Sequence, residues 1–318
     1  MGKARTATRF PAWLKARIPT GQTAAKVREI LSGLRVNTVC GSALCPNIGE
    51  CFHSGTAAFL IMGPNCTRAC TFCAVGKGEL APLDADEPAR VAEAARLLGL
   101  SHVVITSVTR DDIEDGGAGH FAKTIRAVRG ACPEATVEVL VPDLRGARES
   151  VEAIVDARPD VFNHNVETVA RLYASVRPQA DYGRSLEVLR AATQVRKALG
   201  KGAEADRVGQ APPYKEVVTK SGMMVGLGEK SGEVVEVFKD LREAGVSIVT
   251  VGQYLRPSKE HIAVERFVTP EEFAQLERAA LELGFEAAFA GPLVRSSYRA
   301  GEVFHNRRSL HSGSHMGQ

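Results

Sequence analysis

The sequence predicts an α/β protein built as a partial (β/α)6 TIM-like barrel with N-terminal and C-terminal extensions. From residue 57 onward, six short runs rich in Val, Ile and Thr alternate with amphipathic helical segments. The runs are nearly continuous in apolar residues, as expected for parallel strands that are covered by helices. Six βα units are fewer than the eight that close a full barrel. An open partial barrel is therefore expected, and a doubly wound open sheet is the alternative.

Each element has its own sequence pattern. The predicted strands are 57–62, 103–108, 136–141, 161–166, 217–225 and 247–253. The predicted helices are 88–98, 121–129, 148–156, 186–199, 233–243 and 270–283. Pro88 and Pro270 stand in first helical turns beside acidic residues, and Gly245 and Gly284 follow two helices as expected stops. Ligands of such sheets bind beyond the carboxyl ends of the strands, so a site is expected there.

Composition excludes several classes of protein. The 318 residues carry a formal net charge of +3, too balanced for a protein that works mainly on nucleic-acid phosphates. No apolar run approaches the roughly 20 residues of a membrane helix. The N-terminal twenty residues hold basic side chains and no acid, which we interpret as a basic arm rather than an organelle transit peptide. Residues 200–215, rich in Gly, Pro and charge, predict a surface insertion.

The cysteines are the most informative residues. Six of the seven fall into two triplets: the first triplet is Cys40, Cys45 and Cys51, and the second triplet is Cys66, Cys70 and Cys73. An odd count without a signal-peptide core argues against a secreted disulfide scaffold. In a reducing compartment, clustered thiols are more often metal ligands or catalysts. Cys132 lies outside both triplets and is interpreted as a buried structural thiol.

The second triplet follows the first predicted strand directly, which places it at the carboxyl-end mouth of the barrel. Three thiolates on one short loop can hold three corners of a cubane iron–sulfur cluster and leave the fourth iron open to a substrate. Structural zinc is the alternative, but it usually takes four protein ligands, often in two Cys-x2-Cys pairs. Only Cys70 and Cys73 have that spacing, so the pattern favours iron–sulfur.

The run Cys66-Thr-Arg-Ala-Cys70-Thr-Phe-Cys73 resembles the Cys-x3-Cys-x-aromatic-Cys signature of radical S-adenosylmethionine (radical SAM) enzymes. With the first triplet, the run Ile48-Gly-Glu-Cys51-Phe and the run Arg295-Ser-Ser-Tyr298, the chain resembles the lipoyl synthase family over nearly its whole length. That resemblance implies three regions: an N-terminal extension (1–53), a radical SAM barrel (54–290) and a C-terminal extension (291–318).

The resemblance also implies two 4Fe–4S clusters and S-adenosylmethionine as cofactors. The second triplet would hold the cluster that splits S-adenosylmethionine into a 5′-deoxyadenosyl radical, which can take hydrogen from an unactivated alkyl carbon. The first triplet would hold an auxiliary cluster with Ser297 as its fourth ligand, and this cluster would be the sulfur donor. A serine oxygen is a harder and poorer partner for iron than a thiolate, which suits a cluster that is taken apart.

The implied reaction inserts sulfur at carbons 6 and 8 of an octanoyl chain on a lysine of a lipoyl carrier domain. The implied carriers are the glycine cleavage H protein and 2-oxoacid dehydrogenase lipoyl domains. An electron donor and a cluster-rebuilding protein are also implied, in a cytoplasmic enzyme without nucleic-acid or membrane partners. The alternatives are another sulfur-inserting radical enzyme, a zinc-dependent nucleic-acid-binding protein, and a two-cluster electron carrier.

Polar and aromatic residues near strand ends are the candidates for binding S-adenosylmethionine. For each of them an ordinary structural role is the alternative: a capped turn for the hydroxyls, a helix start for Asn and Glu, loop packing for Phe, and an exposed ion pair for Arg. These candidates are Phe72, Thr106, Ser107, Asn165, Glu167 and Arg256.

Overall fold

A computed structural model describes residues 10–15, 21–54, 56–205 and 217–306. Its centre is one sheet of eight strands, which lie side by side in chain order. The strands are β1 (Asn37–Thr38), β2 (Ala58–Ile61), β3 (His102–Ser107), β4 (Thr136–Leu140), β5 (Val161–Asn163), β6 (Val218–Val225), β7 (Ile248–Gln253) and β8 (Ala287–Gly291).

Strands β2 to β8 are parallel, and the short β1 pairs with β2 in the antiparallel sense. Within the described residues no ladder joins β8 back to β1 or β2, so the sheet stays open. The predicted partial barrel is confirmed. Its six predicted strands are all present, and β1 and β8 are additional strands that the sequence prediction missed.

Helices cover the outside of the sheet. The described helices are α1 (Gln22–Gly33), α2 (Val39–Ser42), α3 (Ile48–His53), α4 (Glu87–Leu98), α5 (Ala118–Ala131), α6 (Arg148–Asp156), α7 (Tyr173–Val176), α8 (Tyr182–Ala205), α9 (Ser231–Glu243), α10 (Pro270–Glu282) and α11 (Ala300–Asn306). Thr269 and Glu272 form a capping box at the start of α10. Gly245 and Gly284 take left-handed φ angles of 84° and 88° just after α9 and α10, as expected for helix stops.

Two sequence predictions need correction. Residues 200–205 are not a loop, because α8 continues through them; the remainder of the predicted insertion, 206–215, lies outside the described residues. Cys132 is half-buried rather than buried, because it follows the last residue of α5, where the chain leaves the packed helix. Most of the basic N-terminal arm and everything after residue 306 also lie outside the described residues.

The core consists of the strand side chains and the inward faces of the helices. Phe59 on β2, Phe121 on α5 and Phe162 on β5 are each fully buried. The inside of the sheet also holds charged groups, since Glu138 on β4 and Lys220 on β6 are both 0% exposed. Among the described helices none is long and apolar enough to cross a membrane.

Candidate functional site

A cavity of about 1030 Å³ runs along the inner side of the sheet. It is lined by His102 at the start of β3, by Thr106 near its end, and by Tyr254 beyond β7, so it reaches both ends of the strands. All six triplet cysteines and Ser297 line this one cavity.

The two triplets lie toward opposite ends of β2. The Cys40 thiol lies beside the backbone of Ala58, the first residue of that strand. Cys66 follows the strand, and its sulfur accepts hydrogen bonds from the backbone N–H groups of Thr109 (3.3 Å) and Arg68 (3.4 Å). The sequence prediction that the second triplet stands at the carboxyl-end mouth agrees with this placement.

The second triplet belongs to a loop of residues 64–78, called here the second-triplet loop. The loop folds back on itself, because Cys66 donates its backbone N–H to the carbonyl of Gly76 at 2.9 Å. Gly76 has no room for a side chain, since a Cβ there would lie 2.4 Å from the Asn65 side-chain oxygen and 3.0 Å from the Pro64 carbonyl oxygen. The loop is thus compact before any ligand is considered.

Arg68, between Cys66 and Cys70, holds this loop to the ends of two strands. Its guanidinium donates two hydrogen bonds to Asp111, at 2.7 and 2.8 Å, and two to Asp143, at 2.8 and 2.7 Å. Asp143 is 0% exposed. Burial opposes ionisation of Asp143, but the hydrogen bonds and charge of Arg68 outweigh it and lower the pKa of Asp143 to about 2. Paired bidentate contacts of this kind fix geometry as well as adding stability.

The other side of the loop contacts two later segments. Thr71 donates its backbone N–H to the Val176 carbonyl of α7 at 3.0 Å and accepts from the Ile262 N–H at 3.0 Å. The Nε2 atom of His261 lies 3.1 Å from the carbonyl oxygen of Cys73. Backbone contacts therefore fix the path of the loop on both sides of Cys70 and Cys73.

The first triplet lies on residues 37–54, called here the first-triplet segment. Cys40 is in α2, Cys51 is in α3, and Cys45 lies in the turn between these helices. Thr38 begins α2 by accepting the Gly41 N–H at 3.3 Å, and Cys45 donates its own N–H to the Cys40 carbonyl at 3.1 Å. Local turns thus bring three thiols together over twelve residues.

Four of the six thiols have surroundings that disfavour the free thiolate. Burial, with neighbouring cysteines of the same triplet adding to it, raises the pKa of Cys51 to about 12 and that of Cys73 to about 11. Burial also raises the pKa of Cys40 to about 11 and raises that of Cys70. Ligation by iron would supply the positive charge that such thiolates lack, because a metal ion inverts the local pKa balance.

Residues 295–298 form a β-turn, called here the C-terminal turn, in which Tyr298 donates its N–H to the Arg295 carbonyl at 3.0 Å. Ser296 and Ser297 are its two central residues. Close passage of the chain before the turn requires a glycine on β7, since a Cβ on Gly252 would lie 2.0 Å from the Val294 carbonyl oxygen. The sequence could not show this packing.

The C-terminal turn contacts the first-triplet segment. The Tyr298 hydroxyl donates to Glu50 at 2.8 Å, and Arg299 donates to the same carboxylate oxygen at 2.8 Å. Asn47 donates its side-chain amide to the Leu293 carbonyl at 2.7 Å. The structure therefore places Ser297 in the cavity that the first triplet lines, on a turn attached to that triplet's own segment.

Asn165 and Glu167 follow β5 and line the cavity. Glu167 has a left-handed φ of 65°, and its carboxylate accepts from the Asn165 amide at 3.1 Å. Burial raises the pKa of Glu167, although the charge of Arg177 opposes that rise. Oδ1 of Asn165 is buried and has no hydrogen-bond partner among the described residues. The two side chains thus offer a carboxylate and an unpaired acceptor to a ligand.

The two candidate hydroxyls on β3 differ. Thr106 donates its hydroxyl to the Leu140 carbonyl of β4 at 2.8 Å, so the sheet already supplies a partner. The Ser107 hydroxyl is buried and has no hydrogen-bond partner in the described part of the chain. Ser107 is therefore the better placed of the two to bind a ligand.

Phe72 and Arg256 both line the cavity, and each also has a structural role. Phe72 packs against a small cluster that includes Val176, Leu227 and Tyr254. Arg256 donates to the backbone carbonyls of His261, at 2.7 Å, and of Lys259. Its observed partners are thus loop carbonyls rather than an exposed carboxylate.

Sequence reasoning missed three charged residues of this region. Arg68 and Arg177 lie close to the second triplet, and Arg177 donates to the Asn165 carbonyl at 3.1 Å. Lys220 reaches the C-terminal turn from β6, where its ammonium donates to the Ser296 carbonyl at 2.6 Å. Arg68 stood inside the cysteine motif, but nothing in the sequence indicated its partners.

Among the described residues, no group of three or more His, Cys, Asp and Glu side chains is arranged to hold a metal ion. A cubane cluster makes a different demand, because each of its thiolates bonds a different iron atom. The donors fit that demand: each triplet offers three soft sulfurs, and a hydroxyl oxygen from Ser297 lines the same cavity.

Comparison with solved structures agrees with this fold. Methylornithine synthase is 15% identical with a TM-score of 0.50, over 82% of this chain and 66% of that one. The FeFe-hydrogenase maturase HydG from Carboxydothermus hydrogenoformans is 15% identical with a TM-score of 0.53, over 70% of this chain and 50% of that one. At these identities the similarity concerns the fold alone.

Family and relative comparisons are more specific. Residues 60–241 match the radical SAM superfamily, and residues 2–45 match the N-terminal domain of lipoyl synthase of the radical SAM family. A lipoyl synthase of Rubrobacter xylanophilus is 52% identical over 94% of this chain and 87% of its own length. The lipoyl synthase of Caldanaerobacter subterraneus subsp. tengcongensis is 54% identical over 92% of this chain and 96% of its own length. This chain belongs to the lipoyl synthase family of the radical SAM superfamily.

Proposed function

We propose that this radical SAM enzyme inserts two sulfur atoms, at carbons 6 and 8, into an octanoyl chain held on a lysine of a carrier domain, and that its two cysteine triplets divide the work. The observation that supports this division is the placement of both triplets and Ser297 on one cavity, toward opposite ends of β2. Family membership gives the cofactors, S-adenosylmethionine and two 4Fe–4S clusters.

The second triplet would hold the cluster that works with S-adenosylmethionine. With both bound, they would supply the one-electron chemistry that removes hydrogen from unactivated carbons of the octanoyl chain. Cys66, Cys70 and Cys73 would each bind one iron, while Arg68 fixes the loop on which all three stand. The carboxylate of Glu167 and the unpaired polar atoms of Asn165 and Ser107 are suited to bind ribose and amino groups.

Three further residues complete the proposed cosubstrate site. Phe72 would pack against the adenine, because it already lines the cavity beside Cys73. Thr106 would support Ser107 through its hydrogen bond to β4 rather than bind directly. Arg256 would hold the loop that precedes His261, and a carboxylate of the ligand would have to compete with the carbonyls it already contacts.

The first triplet would hold the auxiliary cluster, with Ser297 as the oxygen ligand, and this cluster would supply the sulfur. Cys40 and Cys51 lie on short helices and Cys45 on the turn between them, not on the parallel sheet. Ser297 lies on a separate turn that contacts this segment through Glu50. A ligand set assembled from two segments can open when one of them moves, which suits a cluster that is consumed.

The proposed regions follow the same division: residues 1–53 carry the auxiliary-cluster thiols, 54–290 the radical SAM barrel and 291–318 the serine ligand. The proposed carriers are the glycine cleavage H protein and the lipoyl domains of 2-oxoacid dehydrogenases, in the cytoplasm. An electron donor and a protein that rebuilds the auxiliary cluster would be needed for repeated turnover.

Separate replacement of the triplets tests the division. Changing Cys66, Cys70 and Cys73 to Ala should abolish cleavage of S-adenosylmethionine, because the site of electron transfer is lost. Changing Cys40, Cys45 and Cys51 to Ala should leave uncoupled cleavage and stop sulfur insertion into an octanoyl-lysyl peptide. Cys132→Ala, outside both triplets, is the control. Equal loss of cleavage in both triplet variants, with the other cluster retained in each, would contradict the proposal.

A further inference from the structure

An ion pair between two strands lies inside the barrel. The Lys220 ammonium on β6 is 2.8 Å from a Glu138 carboxylate oxygen on β4, and both residues are 0% exposed. Taking two charges out of water is costly, and well-packed apolar side chains would often be equally stable in their place. Stability of the sheet alone therefore does not explain the pair.

The pair is built as a charged group rather than a neutral one. Glu138 also accepts a hydrogen bond from the Asn163 amide at 3.1 Å, and its other oxygen lies 3.3 Å from Nε2 of His102. Burial opposes ionisation, but the charge of Lys220 and the hydrogen bonds from His102 and Lys220 outweigh it and lower the pKa of Glu138 to about 2. The ammonium of Lys220 is thus fixed in place by an ionised carboxylate.

The same ammonium donates a second hydrogen bond, at 2.6 Å, to the backbone carbonyl of Ser296 in the C-terminal turn. The Ser296 hydroxyl accepts from the Asn165 amide at 2.9 Å. The carbonyl of Ser296 is therefore held by β6, and its hydroxyl is held by the chain after β5. Ser296 precedes Ser297 directly, so these contacts fix the backbone that presents the Ser297 hydroxyl to the cavity.

We infer that Lys220 and Ser296 are positioning residues for Ser297: the buried ammonium holds the C-terminal turn so that the next hydroxyl meets iron of the auxiliary cluster. The inference rests on the proposed ligand role of Ser297 and deepens it. A serine oxygen is a poor ligand for iron, so its binding depends on being held in place before the cluster arrives. The two serines of the motif then differ in role: Ser296 anchors the turn, and Ser297 binds iron.

The test isolates the auxiliary cluster. In full-length protein with Cys66, Cys70 and Cys73 changed to Ala, the remaining cluster is reconstituted anaerobically and challenged with EDTA. Lys220→Met is combined with Glu138→Gln, so that no unpaired charge is left buried. Iron release should become about tenfold faster, since a hydrogen bond from a charged donor is lost. The Mössbauer spectrum should lose the contribution of an oxygen-ligated iron.

Two further variants show whether Lys220 acts through Ser297. Ser297→Ala alone should release iron at least as fast as the combined Lys220→Met and Glu138→Gln variant. Adding those two changes to Ser297→Ala should produce no further acceleration. Ser296→Ala, which removes only the contact with Asn165, should give a smaller acceleration of about threefold that also disappears in the Ser297→Ala background. If the Lys220 variant fails to fold, the release rates of Ser296→Ala in the two backgrounds decide between the outcomes.

The control changes a buried pair elsewhere. His120 on α5 lies 2.7 Å from Glu87 at the start of α4, and His120→Gln with Glu87→Gln should leave iron release unchanged. Unaltered release in both the Lys220 variant and Ser296→Ala would overturn the inference, and so would an acceleration that persists without Ser297. If Ser297→Ala alone changes neither the release rate nor the Mössbauer spectrum, the ligand role of Ser297 fails, and the inference fails with it.

Discussion

The two cysteine triplets line one cavity but are held in different ways. The second-triplet loop follows a buried strand and is fixed by Arg68, whose guanidinium binds two carboxylates from the ends of β3 and β4. The first-triplet segment consists of short helices, and residues from the other end of the chain hold it through Glu50 and Asn47. One site is part of the barrel, and the other is assembled from two separate segments, of which the C-terminal turn is tied to β6 by Lys220.

This difference matches the role proposed for each site. A cluster that splits S-adenosylmethionine repeatedly needs the same geometry at every turnover, and buried ionic contacts to the sheet provide it. A cluster that gives up its sulfur must lose ligands and be rebuilt. Contacts such as the half-exposed Glu50–Arg299 pair, at 2.8 Å, contribute little individually and can open without disturbing the barrel.

The largest expected effect comes from removing the guanidinium that holds the second-triplet loop. Arg68→Met leaves Asp143 ionised and buried without its main partner, which costs about 3–5 kcal/mol of folding free energy. Binding of S-adenosylmethionine and its cleavage should fall by orders of magnitude, whereas the auxiliary cluster of the folded fraction should remain. Equilibrium binding to the reduced protein and iron content together measure this.

A matched control for Arg68 is Arg129, which donates to Asp160 at 2.7 Å before β5, at the other end of the strands. Arg129→Met removes another Arg–Asp pair, one with a more exposed guanidinium, without touching either triplet. It should reduce stability and leave cosubstrate binding unchanged. If both variants bind S-adenosylmethionine like the parent, the loop does not depend on its ionic contacts and the contrast between the two sites is lost.

A smaller effect is expected at the first-triplet segment. Glu50→Gln weakens two hydrogen bonds, from Tyr298 and Arg299, and should cost about 1 kcal/mol because the carboxylate is half-exposed. Cleavage of S-adenosylmethionine should be unchanged, while EDTA should remove auxiliary-cluster iron several times faster. Glu302→Gln alters the exposed partner of Arg299 at 3.6 Å and should change neither cleavage nor the rate of iron removal. A loss of cleavage in Glu50→Gln would argue against separately held sites.

Much of the fold was predictable because its strands are local runs of Val, Ile and Thr. β8 was missed because its sequence, Ala-Ala-Phe-Ala-Gly, contains no β-branched residue, and only pairing with β7 makes it a strand. β1 has two residues and exists only through its pairing with β2. The end of α8 was missed because Gly200 and Gly202 are typical of a loop, yet the helix continues through both.

The candidate site was predictable where its chemistry is contiguous in sequence. Cysteine spacing identified both triplets, whereas the residues that hold them depend on contacts over long separations. Arg68 meets Asp143 across 75 residues, and Lys220 meets Glu138 across 82. Thr106 shows the same limit: the sequence places a hydroxyl near a strand end, and only the sheet shows that Leu140 already accepts its hydrogen bond.

The most direct test of two separately held sites is a crystal structure grown without oxygen, with iron located by anomalous scattering. We predict two cubanes, one on Cys66, Cys70 and Cys73 with an iron that no protein atom binds. The other should lie on the first triplet with Ser297 as its oxygen ligand. A single metal centre that joins thiols of both triplets would contradict the account.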